Sequence, residues 1–98
     1  MISDKTVAIL APNLMGNICD WKKIKKIADS NNLLVIEDSA DTLGAKINET
    51  SSGSFSDMSI TSFYGSHIIN CAGNGGALML NNEKAIAKAK LLRSWGRS

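Results

Sequence analysis

Apolar and polar positions follow two different periods along this chain. TVAIL, residues 6–10, is a short apolar, β-prone run, and APNLMGN after it carries the Pro, Asn and Gly of a loop. Asp20 stands where a side-chain oxygen can cap a helix, just ahead of WKKIKKIADS. On that helix Trp21, Ile24, Ile27 and Ala28 share one face. Lys22, Lys23, Lys25 and Lys26 take the remainder, the pattern of a solvated outer face more than of a basic docking patch. Asn31 and Asn32 end the segment. LLVIED then opens on a continuous apolar run from Leu33 to Ile36, as expected of a strand buried on both faces. Strand, helix and strand at this spacing predict a right-handed βαβ unit with parallel strands.

The second half continues the alternation. KINETSSGSFSD is a polar excursion, a loop or a hairpin, and MSITSF reads as another strand. GNGG turns into a further strand, GALML. Asn81 or Asn82 can cap a last helix through EKAIAKAKLLRSW, with Ala85, Ile86, Ala89 and Leu92 as its apolar stripe. The sum is an α/β layer structure.

Composition narrows the class. Ninety-eight residues form at most one domain, and 44% apolar with 20% charged residues is the make-up of an ordinary globular chain. A net charge of +2 is too weak to argue for nucleic acid as a partner. The apolar runs are too short to span a membrane. Met1 is followed by ISDKT rather than an apolar signal region, so a cytoplasmic protein is expected. Cys19 and Cys71 lie far apart without CxxC spacing and read as reduced thiols.

The candidate chemistry gathers at strand ends. Glu37 and Asp38 close the most apolar strand, at the carboxyl edge where open α/β sheets bind ligands. Alternation puts Asp38 on the side of Leu34 and Ile36, and Glu37 on the other. A carboxylate there either caps a helix, pairs with a lysine, or serves as a fixed anion for a cationic ligand atom. Ser62 and Ser66 flank Tyr64 after the MSITSF strand; such hydroxyls suit phosphate oxygens, and serines are also common turn residues. GNGG, residues 73–76, is neither GxGxxG nor a P-loop and by itself marks a turn. His67, the one histidine, lies between the hydroxyls and this turn. Without a second histidine or clustered cysteines, a metal site is not expected.

VIEDSADTLGA, SGSFSD, TSFYGSHIINCAGNGGALML and AKLLRSWGR, in this order, resemble the sugar-nucleotide aminotransferase and dehydratase family of the DegT/DnrJ/StrS type. The resemblance runs from about Thr6 to the C-terminus and covers only the central part of that family's large domain. It implies an α/β fold in which residues 1–98 are a single partial domain. This would be the central part of the large domain of fold type I pyridoxal-phosphate (PLP) enzymes, a mostly parallel sheet with flanking helices.

The resemblance also assigns roles. Asp38 matches the aspartate that holds the pyridinium nitrogen, where a carboxylate keeps that nitrogen protonated and the ring electron-withdrawing. Asp41 falls where many members have a glutamine near the ring hydroxyl. Ser62 matches the phosphate-binding serine, and Asn13 lies in a loop that reaches the cofactor in related enzymes. His67 takes the position of the catalytic lysine. The same exchange occurs in the family's 3-dehydratases, which use the pyridoxamine form (PMP) and in which the histidine moves a proton. S-F-Y-x-x-H and E-D-x-x-D-x-L-G are both characteristic of that branch. Some of those dehydratases carry an iron–sulfur cluster on two cysteines whose places are held here by Ala40 and Ser98, so no cluster is expected.

The first expectation is therefore a fragment of a PLP/PMP-dependent sugar-nucleotide 3-dehydratase acting on 4-keto-6-deoxy sugars for surface polysaccharide. His67 and Asp38 would be its catalytic residues, and Asp38, Asp41 and Ser62 its cofactor contacts. An aminotransferase of the same family is the alternative, and a catalytically inert segment the third reading. The partners implied are a nucleotide-sugar substrate and a second copy in a homodimer when full length, with neither nucleic acid nor membrane.

Overall fold

The computed structural model describes residues 2–67 and 69–97; Ser98, one of the two positions of the cluster comparison, lies outside them. Helix α1, Trp21–Ser30, starts where expected: the Asp20 side chain accepts a hydrogen bond from the Lys23 backbone N–H at 3.1 Å. The strands β1 (Ala8–Pro12) and β2 (Leu34–Asp38) on either side of it pair in parallel, Ala8 opposite Leu34 and Pro12 opposite Asp38. A small hairpin, β3 (Lys46–Ile47) and β4 (Thr50–Ser51), occupies the polar excursion. Strand β5 (Met58–Ser62) pairs in parallel with β2, and β6 (Gly76–Leu80) pairs antiparallel with β5. The sheet order is β1-β2-β5-β6. Helix α2, Glu83–Arg93, closes the fold, with Asn82 accepting from Ala85 N–H at 3.0 Å.

Two expectations change. The first strand is not residues 6–10 but Ala8–Pro12, so the proline belongs to the strand and not to the loop. β1 lies at the sheet edge, where a residue without an N–H removes no ladder bond that the interior needs.

The second correction concerns the strand expected to be buried on both faces. Among the described residues α1 covers one face of the sheet, and the opposite face is largely open, with α2 lying beside β6. Val35 and Glu37 are fully buried beneath α1, in a core with Trp21, Ala28 and Leu33, and Ile24 half-buried beside them. On the opposite face Leu10, Leu34 and Leu78 are 60%, 49% and 50% exposed. Lys22, Lys23 and Lys26 are exposed, whereas Lys25 is half-buried and bridges Asp29 at 3.1 Å and Asp57 at 3.5 Å. The Asp57 carboxylate in turn accepts from Val35 N–H at 2.7 Å, fixing the entry to β5 against β2. None of the described helices is long and apolar enough to cross a membrane.

Candidate active site

The carboxyl ends of β1, β2 and β5 converge on one edge of the sheet, and a cavity of about 590 Å³ opens beside it. Its walls are Met15 and Gly16 from the loop after β1; Ala40, Asp41 and Leu43 from the segment after β2; and Ser62, Ser66, His67 and Ile69 from β5 and the excursion beyond it. Residues from three separate stretches of sequence thus share one hollow, as in ligand sites of open α/β sheets.

Each wall has a local reason. After Asn13 the chain makes a single tight helical turn, Leu14–Gly16, in which Met15 (φ 53°) and Gly16 (φ 82°) both take left-handed backbone. Met15 N–H donates to Asp41 Oδ2 at 2.9 Å, so Asp41 binds the loop across the cavity mouth. Asp38 Oδ1 accepts from Ala40 N–H at 3.0 Å, an Asx-type turn that sends the chain past the end of β2 toward Asp41. Ser62 Oγ accepts from Tyr64 N–H at 3.2 Å, which leaves the hydroxyl's own hydrogen for an acceptor in the cavity. His67 sits on the turn that follows. Its N–H donates to Tyr64 O at 2.9 Å, and the Tyr64 ring stands edge-on to the imidazole, centroids 6.4 Å apart. The excursion is closed at its base by Phe63 N–H to Gly75 O at 2.8 Å.

Of the residues singled out in the sequence, His67, Asp41 and Ser62 line the cavity together with Ser66. Asp38 does not form part of its wall. It lies on the open sheet face, in register with Ile60, and Ser62 two residues further along β5 shares that face. Asn13 is 1% exposed and faces inward, away from the cavity, in a polar cluster with Glu37. The Met15–Gly16 wall and the apolar rim of Leu43 and Ile69 carry no motif. Only Gly16, a residue that tolerates positive φ, hinted at the turn that builds the first of them. Among the described residues no three His, Cys, Asp or Glu side chains lie close enough to hold a metal ion.

The chain matches the DegT/DnrJ/EryC1/StrS aminotransferase family over residues 1–98. It is 42% identical over 96 residues to a GDP-perosamine synthase of Caulobacter vibrioides, covering 98% of this chain and 26% of that protein. It is 32% identical over 96 residues to a GDP-4-keto-6-deoxy-D-mannose 3-dehydratase of Yersinia pseudotuberculosis, covering 97% of this chain and 24% of that one. Among solved structures, that of NtdA from Bacillus subtilis with bound PMP superposes with a TM-score of 0.83 at 29% identity, over 92% of this chain and 20% of that chain. The chain thus spans about a quarter of the length of the relatives it matches. Members of the family are PLP-dependent aminotransferases and dehydratases, the two relatives above are named for GDP-linked sugars, and the fold is that of fold type I. On sequence and architecture alike, the chain belongs to the DegT/DnrJ/EryC1/StrS aminotransferase family.

Proposed function

We propose that residues 1–98 are the central part of the cofactor-binding domain of a PLP/PMP-dependent enzyme that modifies a nucleotide-linked 4-keto-6-deoxy sugar by removing its C3 hydroxyl. The observation that carries the reading is the wall of the cavity: an imidazole, that of His67, and no lysine among its lining residues. The donor set suits a phosphorylated pyridine. Ser62 and Ser66, in the wall, offer hydroxyls to phosphate oxygens; Asp38 stands outside the wall, on the sheet face shared with Ser62, and its second carboxylate oxygen would be left for a ring nitrogen that reaches past the rim. Bound there, such a cofactor would supply an electron sink for a carbon losing its proton.

The protein's own share is positioning and proton transfer. Ser62 and Ser66 would anchor the phosphate, and Asp38 would keep the ring nitrogen protonated. His67 lacks the primary amine needed to hold PLP covalently, and its imidazole would take a proton and pass one to the departing C3 hydroxyl, which leaves as water. Asp41 already accepts from Met15 N–H and so would act through the loop it holds as much as through any ligand contact. Proximity and orientation account for up to ~7–11 kcal/mol of a barrier. A quarter of the relatives' length therefore accounts for a site, and turnover belongs to the longer protein.

Amino transfer is the second reading, and it is favoured by the relatives: the GDP-perosamine synthase match is 42% identical, the dehydratase match 32%. One experiment separates the two. The longer protein, incubated with PLP and reduced with borohydride, is mapped by mass spectrometry in the wild type and in His67→Lys. Dehydration predicts no modified lysine in the wild type and modification at position 67 in the variant; in a second sample given pyridoxamine phosphate, which supplies the two electrons, and a nucleotide-linked 4-keto-6-deoxy sugar, the wild type should yield a product lacking the C3 oxygen. A wild-type lysine elsewhere carrying PLP, with an aminated product, would establish amino transfer instead.

A further inference from the structure

Glu37 is the residue of the Glu37–Asp38 pair that none of the chemistry above uses, and it is fully buried. Its Oε1 accepts from Asn13 Nδ2 at 2.9 Å and from Ser39 Oγ at 2.6 Å. Asn13 is correspondingly engaged on every side. Its Oδ1 accepts from Cys19 N–H and from the Trp21 indole N–H, both at 3.0 Å, and its own N–H donates to Asp38 O at 2.9 Å. A buried carboxyl group is tolerated where donors face it, and here both donors, Asn13 at the base of the loop after β1 and Ser39 just beyond β2, meet Oε1, while Oε2 has no partner among the described residues. Asn13 opens that loop and Cys19 ends it. Its middle, Met15 and Gly16, is the cavity wall, fastened to Asp41.

We infer that Glu37 is a positioning residue: through Asn13 it clamps the base of loop 13–19 and so sets the wall against which a ligand of the His67 cavity rests. Asparagine is suited to the clamp because it donates to a carboxylate from one atom while accepting two N–H groups at the other. Aspartate would put oxygen against oxygen, and an apolar side chain would leave the Cys19 and Trp21 donors unpaired. The same network makes the Trp21 indole, at the start of α1, a partner of the cavity wall. The step from wall to ligand rests on the function proposed above; the clamp itself does not.

The test uses the complete protein with two readouts: hydrogen–deuterium exchange of the peptide covering residues 13–19, and binding of pyridoxamine phosphate followed by tryptophan fluorescence. Glu37→Gln keeps an acceptor for Asn13 and Ser39 and is expected to match the wild type in both. Glu37→Leu removes the acceptor and is expected to speed exchange of loop 13–19 at least tenfold and to weaken pyridoxamine phosphate by a similar factor. Val35→Ala loosens the same core without touching the clamp and should leave the loop's exchange relative to the rest of the protein unchanged. If Glu37→Leu does not fold, Asn13→Asp, of equal size, carries the test. It should loosen the loop, and combining it with Glu37→Gln should restore it, since the new amide donates to the new carboxylate. Unchanged loop exchange in Glu37→Leu, or no recovery in the double variant, overturns the clamp. A loop that loosens as expected in a protein whose wild type ignores pyridoxamine phosphate leaves the clamp standing and removes the cofactor reading instead.

Discussion

Two neighbouring residues of one loop show how closely the cavity wall is specified. Met15 and Gly16 both hold positive φ, 53° and 82°, but only one of them can do so without steric cost. A Cβ added at Gly16 meets no atom within 4 Å, so Gly16→Ala is opposed by backbone conformation alone. It should cost about 1–2 kcal/mol in urea unfolding. Met15→Gly relieves the strain at its own position and should cost far less or stabilise, although it strips an apolar group from the cavity. Equal losses from the two changes would mean that the left-handed turn is not what the loop depends on. Similar reasoning explains why Asp38 and Glu37 behave so differently. Adjacent positions on a strand face opposite ways, and α1 covers only one of them. That much was legible in the alternation of VIED. The partner that makes burial of Glu37 tolerable was not, because Asn13 lies 24 residues away, in the loop that follows β1.

At the scale of elements, helix α1 carries its own pH dependence. Asp20 is held below the usual carboxylate range, first by the hydrogen bond to the Lys23 side chain and then by that to the Lys23 N–H. Lys23 is raised in return by the same partner. A lowered carboxylate contributes stability above its ordinary range and loses it as pH falls through its lowered value; the raised lysine loses its share only as pH climbs through its own. The start of α1 should therefore be firm across neutral pH and give way in acid. Asp20→Asn keeps a capping oxygen and gives up the charge. The fall in thermal midpoint between neutral and strongly acid solution should be smaller in this variant than in the wild type, by circular dichroism. An undiminished fall would place the acid sensitivity elsewhere. Helix starts were legible here because caps are local: Asp20 and Asn82 each bond an N–H three residues on. Strand limits were less so. Pro12 reads as a breaker until the sheet order shows β1 at an edge.

For the molecule as a whole, the dominant feature among the described residues is the largely open sheet face, which α2 meets only beside β6. Leu10, Leu34, Ile60 and Leu78 lie side by side on it, with Ile60 36% exposed and the others more so. Contiguous apolar surface of this kind drives association, and β1 and β6 are both edges open to pairing. The isolated chain should sediment as oligomers or aggregates at micromolar concentration, and Leu34→Lys with Ile60→Lys should shift it toward monomer. A sharp, cooperative monomeric melt of the unaltered chain would contradict this. The continuous run LLVIE pointed to cover on both faces, and periodicity cannot say which segment supplies it. The cavity was legible for a different reason. His67, Ser62 and Asp41 stand in ungapped motifs, whereas Met15, Leu43 and Ile69 reach it only through the path of the backbone.

Because β6 runs back along β5, the excursion that bears His67 departs and returns at one end of the sheet, its two feet joined by Phe63 and Gly75. Such an arch can exchange the group at its crown without shifting the register of any strand below. On the function proposed above, one scaffold would in this way trade an amine for an imidazole, and with it one reaction for another, by a change confined to a single side chain.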